Sequence, residues 1–300
     1  MTVMILKYPV YSISGDLIVP MGTVINSENI SRIISSHSKS FDQAPLIHYK
    51  NIKSDIVSLL KQKPYDAVFN PELTDHILDL MDMIVLPLPV IESIYFFKSY
   101  DFYTYRHFLM VMTLTTLISN EILKDKDELL RNMKAGSSHD IGKICLPSWI
   151  LNKKTALSVT EKNDLKQHTV MGYLLIRYYF NTREEYVALA ALNHHERTDG
   201  SGYPFQIKRE DPVSDIIIVS DIFDALISSR PYRPTPYDTR SALDEITGMA
   251  LHNKISLDVV KALVNYVRGN KIHYSQCDVS RDRRGSPPLD NLYDTTIEPD

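Results

Sequence analysis

At 300 residues the chain is long enough to bury a sizeable hydrophobic core, in one large domain or two. A formal net charge of −4, with 44% hydrophobic and 23% charged residues, argues against a general binder of nucleic-acid polymers and leaves small anionic ligands open. Two cysteines, Cys145 and Cys277, have no CxxC spacing and build no disulfide framework, so a reducing, cytoplasmic setting is expected.

The opening MTVMILKYPVYS lacks the apolar run of a signal peptide, and MIVLPLPVIESIYFF (83–97) is interrupted by Pro87, Pro89 and Glu92, so neither a leader nor a membrane span is expected. YPVYSIS and LIVPMGTVI flank Gly15-Asp16 and read as a β-hairpin. A short helix carrying Ile30, Ile33 and Ile34 follows. NIKSDIVSLLKQK places Ile52, Ile56, Leu59 and Leu60 on one helical stripe, and Asn70-Pro71 opens another helix as cap and first turn. Residues 1–97 therefore read as a small α+β module.

From about residue 98 the pattern is almost wholly helical, giving a mainly α fold. His107 shares a face with Val111, Leu114 and Ile118, and His168 one with Met171, Gly172, Leu175 and Tyr179, so both histidines look inward. EEYVALAALNHH reads as a helix ending at His194 and His195. SDIIIVSDIFDALIS could pass for a strand but is long enough for a buried helix. Helices near 238–250 and 257–268, the second capped by Ser256 and ended by Gly269, close a helical domain of residues 98–275. The remainder, 276–300, has few core-forming residues and reads as loosely ordered.

Five histidines on the predicted helices, His107, His139, His168, His194 and His195, accompany Asp140 and Asp221. Imidazole with carboxylate suits Fe, Mn, Zn, Co or Ni, and seven groups exceed the needs of one ion. Taken singly, His107 and His168 fit the plainer description of hydrogen-bonded core histidines. The pair fits a polar helix end at the surface. Neighbours on a helix point about 100° apart, so His194 and His195 can converge on one ion only where the helix breaks, and Glu196-Arg197-Thr198-Asp199-Gly200 supplies such a break.

HDIGK (139–143) with LPSWILNK, HTVMG (168–172), HHERTDGSGYP (194–204), DIFDA (221–225) and RPYR (230–233), in that order, resemble the HD-GYP family of cyclic dinucleotide phosphodiesterases over about residues 98–270. The resemblance implies a helical HD-type bundle holding two divalent transition-metal ions, iron or manganese, bridged by Asp140. His107, His139 and Asp221 would complete one ion's ligands, and His168, His194 and His195 the other's. Lys143 would meet the scissile phosphate, with Arg230 and Arg233 gripping phosphates. The implied reaction cuts cyclic di-GMP to linear pGpG, in some members on to GMP. Physically, two such ions generate a hydroxide near neutral pH and polarise the phosphate, while Lys143 and Arg230 offset charge on its oxygens. No serine or cysteine in these blocks has a matching base.

Three departures matter. Tyr103 stands four positions before His107, where some members carry a third-metal glutamate, so two metals and pGpG are expected; a phenol with a pKa of about 10 is a poor ligand. Gly136-Ser137-Ser138 precede His139 where aliphatic residues are usual, which implies a tilted or closely packed helix. The stretch after Pro204 is short and lacks a second glycine. Within the GYP segment, Gly200 and Gly202 are expected at positive φ with Tyr203-Pro204 forming an exit turn, Tyr203 is a candidate substrate contact, and the loop is a candidate docking surface for a diguanylate cyclase domain. Two other functions stay open: hydrolysis of another cyclic dinucleotide such as cyclic GMP-AMP, and a signalling module that binds a nucleotide or partner without turnover. The first 97 residues fit a regulatory segment, a homodimer interface or a scaffold.

Overall fold

The computed structural model describes residues 2–34, 39–181, 183–209, 211, 213–229, 235–269 and 272–288. The expected hairpin forms as β2 (Val10–Tyr11) and β3 (Leu17–Val19), antiparallel around the Gly15 turn. A second antiparallel pair, β1 (Met4–Ile5) with β4 (Val24–Ile25), encloses it. Helix α1 (Ile30–Ile33) follows, then β5 (Gln43–Pro45), α2 (Ile52–Leu60) and α3 (Pro71–Met81). The Asn70 side chain caps α3 by accepting from Leu73 N at 2.9 Å. Strand β6 (Val85–Pro87) returns to pair with β5.

Helix α4 (Leu88–Tyr100) runs straight through the boundary expected at residue 97. Its buried Val90, Ile91, Ile94 and Phe97 belong to one apolar core that extends from Leu6 to Cys277, so the first hundred residues are packed into the helical body rather than tethered to it. Hydrogen bonds reinforce the seam: Lys7 N donates to Gln167 Oε1 at 2.9 Å, and Ile13 N to the Tyr179 hydroxyl at 2.8 Å.

The helical body is α5 (Phe102–Ile122), α6 (Lys126–Ser138), the short α7 (Ser148–Leu151), α8 (Val159–Lys166), α9 (His168–Tyr179), α10 (Glu185–Asn193), α11 (Ser214–Ile227), α12 (Thr239–Leu251) and α13 (Leu257–Val267). The two longest of these are buried all round over most of their length and form its axis: α5 from His107 to Ser119, and α11 from Asp215 to Ile227, which settles the strand-or-helix ambiguity of SDIIIVSDIFDALIS. Helix α5 packs on α4, α6 and α11, and α9 on α10.

The small residues before His139 have a packing reason. A Cβ on Gly136 would lie 2.7 Å from Thr115 Oγ1, so α6 crosses α5 closely at this point. Ser256 differs from expectation, since its side chain makes no cap and its backbone N–H donates instead to Asp215 Oδ2 at 2.6 Å. The described part of the C-terminal segment is laid on the body: Cys277 is buried, and Arg284 N and Gly285 N both donate to Asp244 at 2.7 Å. Residues 289–300 lie outside the described residues. Among those described, no helix is long and apolar enough to cross a membrane.

Candidate metal centre

The seven predicted groups come from helix ends and from the two axial helices. His107 projects from the first turns of α5 and Asp221 from the middle of α11. His139 ends α6, Asp140 follows it, and residues Ile141–Cys145 then form a 3₁₀ turn carrying Lys143. His168 opens α9, and His194 caps the end of α10, with His195 just beyond the helix. The adjacent histidines thus converge where the helix breaks.

The ligand atoms of Asp140, His168, His194 and His195 lie within 4.8 Å of one another, as do those of His107, His139 and Asp221. Asp140 faces both groups. Its Oδ1 lies 3.2 Å from His168 Nε2 and 3.6 Å from His194 Nε2, and its Oδ2 lies 3.5 Å from both His107 Nε2 and His139 Nε2. Asp221 Oδ1 is 3.1 Å from His107 Nε2, and its Oδ2 is 3.9 Å from His195 Nδ1.

Three of these rings are aimed by nearby backbone: His139 and His194 by the helices they end, His168 by the end of the preceding helix α8. Nδ1 of His139, His168 and His194 meets the carbonyl three residues back, of Gly136, Leu165 and Ala191, at 3.0, 2.6 and 2.9 Å. A carbonyl only accepts, so Nδ1 carries the proton and Nε2 presents a bare lone pair inward. His168 Nε2 and His194 Nε2 are 3.3 Å apart, two acceptors that a shared cation would reconcile. His139 Nε2 and Asp140 Oδ1 are buried without a hydrogen-bond partner. The donor set of five imidazoles and two carboxylates, with its orphaned inward atoms, fits a pair of divalent transition ions.

Electrostatics agree with that donor chemistry. Burial alone would raise the Asp140 carboxyl, but the Lys143 ammonium and His139 hold it well below the usual range; His107 and His195 do the same for Asp221 against its own burial. Burial depresses His194 to about 4 and, with the neighbouring His194, lowers His195 strongly, so both rings are neutral near pH 7. The unfolded chain protonates His194 near 6.5 and the folded chain near about 4, so between those limits the unfolded state binds more protons and stability falls as pH falls. Asparagine at position 194 is therefore expected to flatten the loss of stability of metal-stripped protein between about pH 6.5 and 4, by on the order of 2 kcal/mol across the window, read as the urea midpoint. An unchanged slope would contradict the assignment.

The GYP segment is folded back on the histidine pair. Gly200 has φ +82, as expected, but Gly202 is not at positive φ. It is required by contact instead, because a Cβ there would lie 2.3 Å from His195 O and 2.4 Å from Glu196 Cα. Tyr203 N donates to His195 O at 3.1 Å, and its ring stacks on His195 with centroids 4.5 Å apart and 24° between planes. The Lys166 ammonium lies 5.2 Å from the Tyr203 ring centroid. Tyr103 stacks on His107 with ring centroids 6.0 Å apart and 13° between planes. Lys143 reaches the centre, its ammonium against Asp140 Oδ2. Arg230 and Arg233 lie outside the described residues.

Two residues of this centre escaped the sequence reading. Glu196, fully buried, accepts from Phe205 N at 2.6 Å and Gln206 N at 2.9 Å, clamping the GYP loop to the residues after His195. Asp224 accepts from His107 Nδ1 at 2.7 Å. The available signal was position, since Asp224 stands three residues after Asp221 on one helix face and Glu196 directly follows the histidine pair.

A family model described as HD domain matches residues 104–258, which span every group above except the N-terminal contacts and Tyr103. The chain belongs to the HD domain family. Its ordered HDIGK, HTVMG and HHERTDGSGYP motifs put this HD domain in the HD-GYP branch. It is similar to a cyclic di-GMP phosphodiesterase of Thermotoga maritima, 37% identical over 164 residues that cover 54% of this chain and 44% of that one. A cyclic di-GMP phosphodiesterase of Pseudomonas aeruginosa is 36% identical over 60% of this chain and 44% of its own length. A 3′3′-cGAMP-specific phosphodiesterase of Vibrio cholerae is 32% identical over 50% of this chain and 34% of its own. The chain thus spans less than half the length of the curated relatives it matches.

Proposed function

We propose that the chain is a metal-dependent phosphodiesterase that opens cyclic di-GMP to linear pGpG. The observation that carries this reading is the placement of Asp140 between two histidine groups, one carboxylate oxygen toward each. His107, His139, Asp221 and Asp140 would hold one ion and His168, His194, His195 and Asp140 a second, iron or manganese by donor type. When bound, the ions supply Lewis-acid polarisation of the phosphate and a lowered pKa for the attacking water.

The chain's own residues do the remaining work. The backbone carbonyls behind His139, His168 and His194 hold each proton at Nδ1, so no ligand lone pair is lost to the wrong tautomer. Lys143, partly exposed beside Asp140, is placed to exchange that contact for a phosphate oxygen and to offset charge that builds there during cleavage. Arg230 and Arg233 are assigned phosphate contacts on the RPYR motif alone. Tyr203, packed on His195 at the rim, presents a ring on which a purine base can stack. With Tyr103 in place of a carboxylate the centre takes two ions, not three, which supports pGpG as end product.

A second reading, cleavage of cyclic GMP-AMP, is favoured by the likeness to the cGAMP-specific relative. Anaerobically prepared, metal-analysed protein incubated with cyclic di-GMP, cyclic GMP-AMP and pGpG separates the two. Cyclic di-GMP is expected to turn over fastest and stop at pGpG, and His139→Ala to turn over neither. Faster cyclic GMP-AMP cleavage would favour the second reading, and identical behaviour of wild type and His139→Ala would sink both.

A further inference from the structure

His107 is held differently from His139, His168 and His194. Those three are aimed by backbone carbonyls three residues back along the chain. His107 is aimed by the Asp224 carboxylate, 117 positions distant, at 2.7 Å from Nδ1. Asp224 has no exposed surface and is itself held from several directions. Arg106 Nη1 donates to its two oxygens at 3.0 and 3.1 Å, and Ser228 Oγ to Oδ1 at 3.3 Å. A further donor comes from the far side of the seam: the hydroxyl of Tyr65, 159 positions away, donates to Asp224 Oδ1.

We propose that Tyr65 is a positioning residue of the metal centre, acting through Asp224 to aim His107, so that the N-terminal segment sets the quality of the half-site formed by His107, His139 and Asp221. This inference rests on the metal-centre reading above. Tyr65 is buried on a 3₁₀ turn, Tyr65–Ala67, and the Arg106 guanidinium lies 5.6 Å from its ring centroid, so ring and hydroxyl are both fixed against the carboxylate. A carboxylate rotates readily about its last torsion, which is broad. Arg106 anchors both oxygens but approaches from the same helix as His107, one residue before it. Tyr65 is the donor that ties the carboxylate to a separate element, so its hydroxyl fixes the direction from which His107 is addressed. The consequence is a route, through Asp224 and His107, by which a disturbance at Tyr65 reaches one half of the centre.

The test uses the full chain, stripped of metal and titrated with Mn²⁺ by calorimetry. Wild type is expected to take up two equivalents. Groups that orient a metal-binding histidine alter affinity by about 10–100-fold, and Tyr65→Phe is expected to weaken one equivalent by about tenfold with the other unchanged. Tyr179→Phe is the control: its hydroxyl accepts from Ile13 N at 2.8 Å, a tether of the same N-terminal segment at the opposite end of α9 from His168, and both affinities should match wild type. Two equivalents of unchanged affinity in Tyr65→Phe overturn the proposal, as does equal weakening in Tyr179→Phe. Should Tyr65→Phe fail to fold, Asp224→Asn alters the carboxylate through which Tyr65 addresses His107 and must weaken the same equivalent; unchanged binding there also overturns it. Wild type that binds two ions but cleaves no cyclic dinucleotide refutes the proposed activity and leaves this inference standing, whereas wild type that binds none refutes both.

Discussion

Asparagine in place of Asp140 is expected to cut the proposed cyclic dinucleotide hydrolysis by on the order of a thousandfold and to lower bound metal from the proposed two equivalents to one or none. The substitution keeps the shape and turns one carboxylate oxygen into an N–H₂ donor. Because Oδ1 serves His168 and His194 while Oδ2 serves His107 and His139, either orientation of the amide turns donors toward one set of inward lone pairs. That side loses its anionic oxygen and gains a group no cation tolerates. The neutral amide also deprives the Lys143 ammonium of its anionic partner, which leaves an unbalanced positive charge in the site. Elemental analysis and initial rates on the same preparation check the result, and full metal content with a near-normal rate would refute the bridging role.

Alanine in place of Gly142 should lower stability by about 3 kcal/mol, at the upper end of overpacking costs, and disturb both histidine groups. Gly142 lies in the turn between Asp140 and Lys143. A Cβ there would sit 1.9 Å from His168 O and 2.4 Å from Gly172 N, both backbone atoms of α9 that cannot move aside singly. The turn that carries Asp140 would have to back away from the helix that carries His168. Gly248, inside α12 with nothing within 4 Å of its added Cβ, is the matched comparison. There the same substitution should raise stability by about 1 kcal/mol, since a helix interior favours alanine. Urea unfolding of the two variants should move in opposite directions, and equal small effects would mean that the Gly142 contact is not restrictive.

The contrast between these glycines marks what was legible in the sequence. Six of the seven metal-capable groups stood out as distinctive residue types inside short ordered motifs, and the helical period already turned His107 and His168 inward. Helix α11 was legible by its length despite a strand-like composition. Close approaches were not. Gly142 against His168, Gly136 against Thr115 and Gly202 against His195 are contacts between backbones or helices brought together by the fold. Local propensity records only that glycine is small and permissive, so Gly202 was expected at positive φ for a reason that turned out to be spatial. Asp224 was passed over because its work depends on Tyr65 and Arg106, whose proximity no local pattern encodes. The boundary at residue 97 followed a change from mixed to helical patterning, and helix α4 simply bridges that change.

That continuous helix bears on how such a segment could be exchanged over evolutionary time. Domains that trade places do so at exposed linkers where few contacts cross. Here a newcomer in front of residue 98 would have to supply most of α4, a replacement for the apolar side chains from Leu6 to Phe97 in the shared core, a donor for Asp224 and a partner for Gln167 beside His168. Replacement by recombination is thereby disfavoured, and change in the first hundred residues is confined to gradual substitution in step with the helices they cover.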